Sequence, residues 1–105
     1  MPISLREVLR ILRDHELELR RRGVLHVAVF GSVARGEAAE TSDVDILIEL
    51  DPDRPIDLLD YVNIKLQIAA LFGFDSLDGP VDVVNRKMLK PLLRRQILGE
   101  AIDAF

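Results

Sequence analysis

The sequence predicts a mixed α/β domain: a small three-stranded mixed sheet flanked by helices, in the order α-β-α-β-α-β-α. Three observations carry this. Val24 to Phe30, Val44 to Leu50 and Val81 to Val84 are short β-rich apolar runs. Apolar residues recur at helical spacing before, between and after them. Gly, Pro and Asp residues punctuate the boundaries. Strand runs alternating with helical stretches in one small chain indicate a sheet covered by helices.

The elements follow in order. Ser4 and Glu7 have capping-box spacing and mark a helix start. Leu5, Val8, Leu9, Leu12 and Leu19 continue it as one helix, and Gly23 ends it. Gly31 breaks the first strand, and Ser32 to Gly36 form one or two helical turns. Glu37 to Ser42 is a polar loop leading to the second strand, Val44 to Leu50. Asp51-Pro52-Asp53 closes that strand, and Pro55 suits the first turn of a helix reaching about Phe72. Ile56, Leu59, Val62, Leu66 and Ala70 are its expected buried side. After the loop from Gly73 to Gly79 and the third strand, a last helix runs from Pro91 to about Ile102.

Composition narrows the function. The 105 residues suffice for one domain, residues 1–105, and 49% hydrophobic with 5% aromatic content makes its core aliphatic. A net charge of −4 argues against a general nucleic-acid coat, so no direct nucleic-acid binding is expected. With no cysteine there is no disulfide, thiolate metal site or cysteine nucleophile, which fits a cytoplasmic location. The N-terminus lacks a signal-peptide pattern, and no apolar run is long enough to span a bilayer.

The chemistry concentrates in Gly31-Ser32, then ten residues, then Asp43-Val44-Asp45. Residues two apart on a strand project to one side, so Asp43 and Asp45 point together. Two carboxylates about 4 Å apart repel by roughly 4 kcal/mol at an effective dielectric near 20. Solvation, a shared proton or a hard cation such as Mg²⁺ or Mn²⁺ relieves that repulsion. Asp82 is the third acid, interrupting Val81, Val83 and Val84 in a segment otherwise fit for burial. It is either a metal-binding or paired acid or the wet face of an edge strand. If the third strand lies beside the second, the three carboxylates form one cup.

Gly31 and Ser32 stand where a strand gives way to a helix start. Glycine there lets a phosphate approach the backbone N–H groups, and the serine hydroxyl adds a hydrogen bond. The plain alternative is an ordinary turn with a serine cap. Arg35, on the following turn, either touches phosphate or pairs with a local acid. Glu37 and Glu49 are at most supporting groups. His15 and His26 lack a partner at metal-ligand spacing, and Tyr61 reads as a helix-surface or interface residue. Arg20-Arg21-Arg22 and Arg94-Arg95 read as solvated helix faces, the alternative being contacts to an acidic partner or to RNA phosphates.

Phe30-Gly31-Ser32-Val33-Ala34-Arg35-Gly36, Ser42-Asp43-Val44-Asp45-Ile46 and Val81-Asp82-Val83-Val84 together resemble the polymerase-beta-like nucleotidyltransferase superfamily. More closely, the chain resembles the minimal nucleotidyltransferase (MNT) domain proteins, the MntA-type antitoxins. The likeness extends to Leu89-Lys90-Pro91-Leu92 and Ile97-Leu98-Gly99-Glu100-Ala101. It implies the nucleotidyltransferase fold, with Gly31, Ser32 and Arg35 at the triphosphate of ATP and Asp43, Asp45 and Asp82 around two Mg²⁺ ions. It further implies that Asp82 helps activate the acceptor hydroxyl. The implied function is adenylylation of a tyrosine on a HEPN-family ribonuclease toxin, which silences the toxin. A binding-only antitoxin and a transferase acting on a small molecule or RNA end are the alternatives. Because the chain ends where larger relatives continue, the acceptor is expected to be a protein docking over the acids, in a hetero-oligomer or beside a second copy.

Overall fold

The computed structural model describes residues 3–39 and 43–105. Ser42 and the end of the polar loop therefore lie outside the described residues. The elements are α1 (Leu5–Asp14), α2 (Glu16–Arg21), β1 (Val24–Phe30), α3 (Gly31–Ala34), β2 (Val44–Leu50), α4 (Leu58–Leu71), β3 (Val81–Asn85), a 3₁₀ turn (Arg86–Met88), α5 (Pro91–Glu100) and β4 (Ile102–Asp103).

The sheet has four strands, in the order β3-β2-β1-β4, rather than the expected three. β2 runs parallel to β3 and antiparallel to β1, and β4 runs antiparallel to β1. The extra strand corrects the reach of the last helix. That helix stops at Glu100, and Ile102 and Asp103 pair with Val29 and Ala28. A two-residue strand is too short to show an alternation. Arg13 on α1 holds it in place, its Nε donating to the Ala104 carbonyl at 2.8 Å and its Nη2 to the Asp103 carbonyl at 3.2 Å.

Alternation along the strands sends side chains to two cores. Val27, Val29, Val44, Ile46, Ile48, Val81 and Val83 face the larger one, where α1, α2 and α4 contribute Val8, Leu12, Leu19, Ile64, Ile68 and Ala69. Ala28, Phe30 and Leu47 face the other way, toward Ile97, Leu98 and Ala101. α5 covers this second face loosely. None of its residues is buried, and Leu92 near its start is 92% exposed.

Two helices depart from the expectation. The first is broken at His15 into α1 and α2, and the Ser4 hydroxyl caps α1 by accepting from the Glu7 N–H at 3.2 Å. α4 begins after Pro55, where Asp57 and Asp60 form a reciprocal capping box. Its buried side is Ile64, Ile68 and Ala69, whereas Leu59 is 67% exposed and Ala70 is exposed. Apolar residues lie almost all round α4, so their spacing does not single out a face. Among the described residues, no helix is long and apolar enough to cross a membrane.

Candidate active site

The acids gather where β2 and β3 begin and β1 ends. In the parallel register of β2 and β3, Asp45 stands directly beside Asp82. Both belong to the face that carries Leu47 and α5, the opposite side from the main core. Asp43 immediately precedes β2, two residues from Asp45, and is exposed. β3 is an edge strand and Asp82 is exposed on it, as expected for the wet face of an edge, and this edge lies beside the second strand.

Electrostatics registers the convergence. Partial burial, then the charges of Asp82 and Asp43, push the Asp45 carboxyl up to about 6, with Arg35 opposing them. Among the described residues, no three His, Cys, Asp or Glu side chains stand close enough together to ligate one ion. The expected three-carboxylate cup is therefore not closed around one ion here, although Asp45 and Asp82 stand side by side and Asp43 lies two residues away. In their chemistry, carboxylate oxygens of this charge suit a hard divalent cation.

Gly31 closes the corner from the β1 side. Its φ of +74° is a left-handed conformation natural to glycine, and a Cβ placed there would overlap Asp45 Oδ2. The glycine is thus required both by the turn and by its packing against an acid. Ser32, partly exposed, follows in the short α3, and the chain turns at Arg35 and Gly36.

Arg35 pairs with two acids, the local Glu37 and the sequence-distant Glu100. Its Nε lies 2.9 Å from Glu37 Oε2 and its Nη1 lies 3.0 Å from Glu100 Oε2. These bonds, Glu37 first and then Glu100, raise the guanidinium further above its ordinary range. Glu100 Oε1 also accepts from the Gly31 N–H at 3.1 Å. Sequence reasoning assigned Glu100 no role. The available signal was its position as the final residue of α5, where the helix dipole disfavours an acid and a tertiary partner is needed.

The other candidates lie elsewhere. Glu49 is between His26 and Arg86, at 3.9 and 3.8 Å, farther along the sheet from the acid corner. His26 is exposed. Tyr61 packs partly against the main core, with the Lys65 ammonium 5.2 Å from its ring centre.

Residues 5–104 match the profile of the nucleotidyltransferase domain, and the chain belongs to that family and is a nucleotidyltransferase. It is 39% identical over 101 residues to the protein adenylyltransferase MntA of Thermococcus cleftensis, covering 95% of each chain. A solved structure of a minimal nucleotidyltransferase superimposes with a TM-score of 0.72 at 44% identity over 96% of each chain. The fold is also that of a chain in the complex between a tri-AMPylated Shewanella oneidensis HEPN toxin and its MNT antitoxin. There the TM-score is 0.59 at 16% identity, covering 92% of this chain and 71% of that one.

Proposed function

We propose that this chain is a Mg²⁺-dependent protein adenylyltransferase, moving AMP from ATP to a tyrosine hydroxyl of a HEPN-family toxin and thereby acting as its antitoxin. The observation that carries the reading is the register of Asp45 beside Asp82, with Asp43 two residues away, next to the Gly31 turn. The 39% identity to a protein adenylyltransferase and the fold shared with an antitoxin bound to an AMPylated toxin support it.

In this reading Asp43, Asp45 and Asp82 would hold the metal ions, whose charge screens the triphosphate when bound. Ser32 and Arg35 orient the phosphates, and Gly31, whose own N–H is held by Glu100, gives them room at the turn. The acceptor oxygen attacks the α-phosphorus, the bond to the bridging oxygen breaks, and pyrophosphate leaves. Asp82, at the exposed edge of the sheet, accepts the hydroxyl proton. Asp43 and Asp82 are exposed, which suits an acceptor carried by a folded protein.

The test uses purified chain, a HEPN-family toxin encoded beside it and ATP labelled at the α-phosphate. Magnesium-dependent labelling of one toxin tyrosine, lost in D43N, is expected. Full neutralisation of the toxin by a D43N/D45N protein would instead establish a binding-only antitoxin. Turnover on a free small molecule or an RNA end without toxin would establish the third reading.

A further inference from the structure

We infer that Glu100 is a positioning residue for the nucleotide, acting through Gly31 and Arg35; the inference rests on the nucleotide reading above. The two oxygens of this one carboxylate hold two different parts of the site. Oε1 takes the Gly31 N–H at 3.1 Å, and Oε2 takes Arg35 Nη1 at 3.0 Å. The Glu100 side chain is 19% exposed, against 66% for Glu37, the other acid on Arg35. It is therefore the better-shielded partner, and charge-assisted bonds count for more where water is scarce.

Each contact has a consequence at the acids. Gly31 sits in its left-handed turn directly against Asp45 Oδ2, so fixing its amide fixes the wall behind that carboxylate. Arg35 has five N–H donors in a rigid fork. Among the described residues Glu37 and Glu100 take one each, from Nε and Nη1, so Nη2 and the second Nη1 hydrogen are not used there and are available to an anion. A guanidinium clamped on two sides meets a phosphate with little rotamer freedom left to lose. Glu100 also ends α5, and Ala101 follows it into β4, so the clamp is tied to the sheet by the β1–β4 pairing.

The experiment measures binding of an ATP analogue with a methylene between the α- and β-phosphorus atoms, in Mg²⁺, to the full chain by calorimetry. Wild type must bind; no binding would remove the nucleotide reading itself. Given binding, E100A is expected to raise Kd about tenfold, as loss of a supporting hydrogen-bond partner does at other sites. E100Q, which keeps an acceptor for the Gly31 N–H and loses the charge on Arg35, is expected to fall in between. E100A and R35A together are expected to weaken binding by clearly less than the product of the single effects, because they share one interaction. L98A, which loosens α5 at the second core without touching the cradle, is expected to lower Tm and leave Kd unchanged. Unchanged or tighter binding in E100A, or single effects that multiply in the double variant, would overturn the inference. So would an L98A protein as weak in binding as E100A while still folded.

Discussion

Gly31 and Asp45 compete for one volume: the glycine has no side chain because the carboxylate of Asp45 occupies the place a Cβ would take. Gly31→Ala must therefore displace an acid and also strain a φ of +74°. A loss of about 1–3 kcal/mol of stability is expected, read by urea denaturation. Adding Asp45→Ala to Gly31→Ala should return part of that loss, since it removes the overlap and leaves only the backbone strain. A double variant no more stable than G31A would show that the two residues do not meet.

Asp45 gives a pH dependence with a definite sign. Its carboxyl is pushed up from 3.8 to about 6, so the proton binds more tightly in the folded protein than in the unfolded chain. This contribution to stability is fully present below 3.8 and is lost as the pH rises through about 6. With chelator present, Asp45→Asn should melt higher than wild type above that range, by about 1 kcal/mol once solvent screening of a half-exposed group is allowed for. The difference should shrink toward acid. Parallel melting curves at pH 4 and pH 8 check it, and a constant offset between the proteins would contradict the assignment.

Magnesium should act in the opposite sense at neutral pH. A cation bound among Asp43, Asp45 and Asp82 stabilises the folded state by mass action, so millimolar Mg²⁺ should raise the wild-type Tm. EDTA should reverse the rise, and Asp45→Asn should abolish it. In the labelling assay each of the three Asp→Asn variants should lose at least about a hundredfold in rate.

Tyr61 is the sole tyrosine in a chain without tryptophan, so its ionisation is readable by absorbance near 295 nm. Burial first, and the charge of Asp82 to a smaller extent, raise its phenol above 10, against a hydrogen bond from the Asn85 backbone. Asp82→Asn should bring the midpoint down. An unshifted midpoint would place Asp82 out of electrostatic reach of Tyr61.

Arg13 ties the last strand to the first helix through the Ala104 and Asp103 carbonyls. Arg13→Ala leaves the Ala104 carbonyl, partly buried, without that donor and should cost about 2 kcal/mol. Hydrogen exchange should show the loss first at Phe105 and Ala104, whose amides donate to the Val27 carbonyl.

Much of this arrangement was legible in the sequence because one-dimensional patterns report on it. The three long strand runs, the turn at Gly31 and the pairing of Asp43 with Asp45 follow from a period of two and from glycine's conformational freedom. What was hidden depends on contacts distant in the chain. The register that sets Asp82 beside Asp45 links residues far apart in sequence, and only the packing of β2 on β3 decides it. α4 hides its buried face because Leu58, Leu59, Val62, Leu66 and Ala70 offer a rival apolar stripe to Ile64 and Ile68. Glu100 is a single acid in a helix tail, and nothing local announces that it bridges Gly31 and Arg35.

The last turn of α5 is fastened through Glu100, while Leu92, Leu93 and Arg94 are exposed. Ten helical residues form a stiff rod about 15 Å long. The exposed apolar residues at its start thus share one short rigid element with the carboxylate that holds the Gly31 amide.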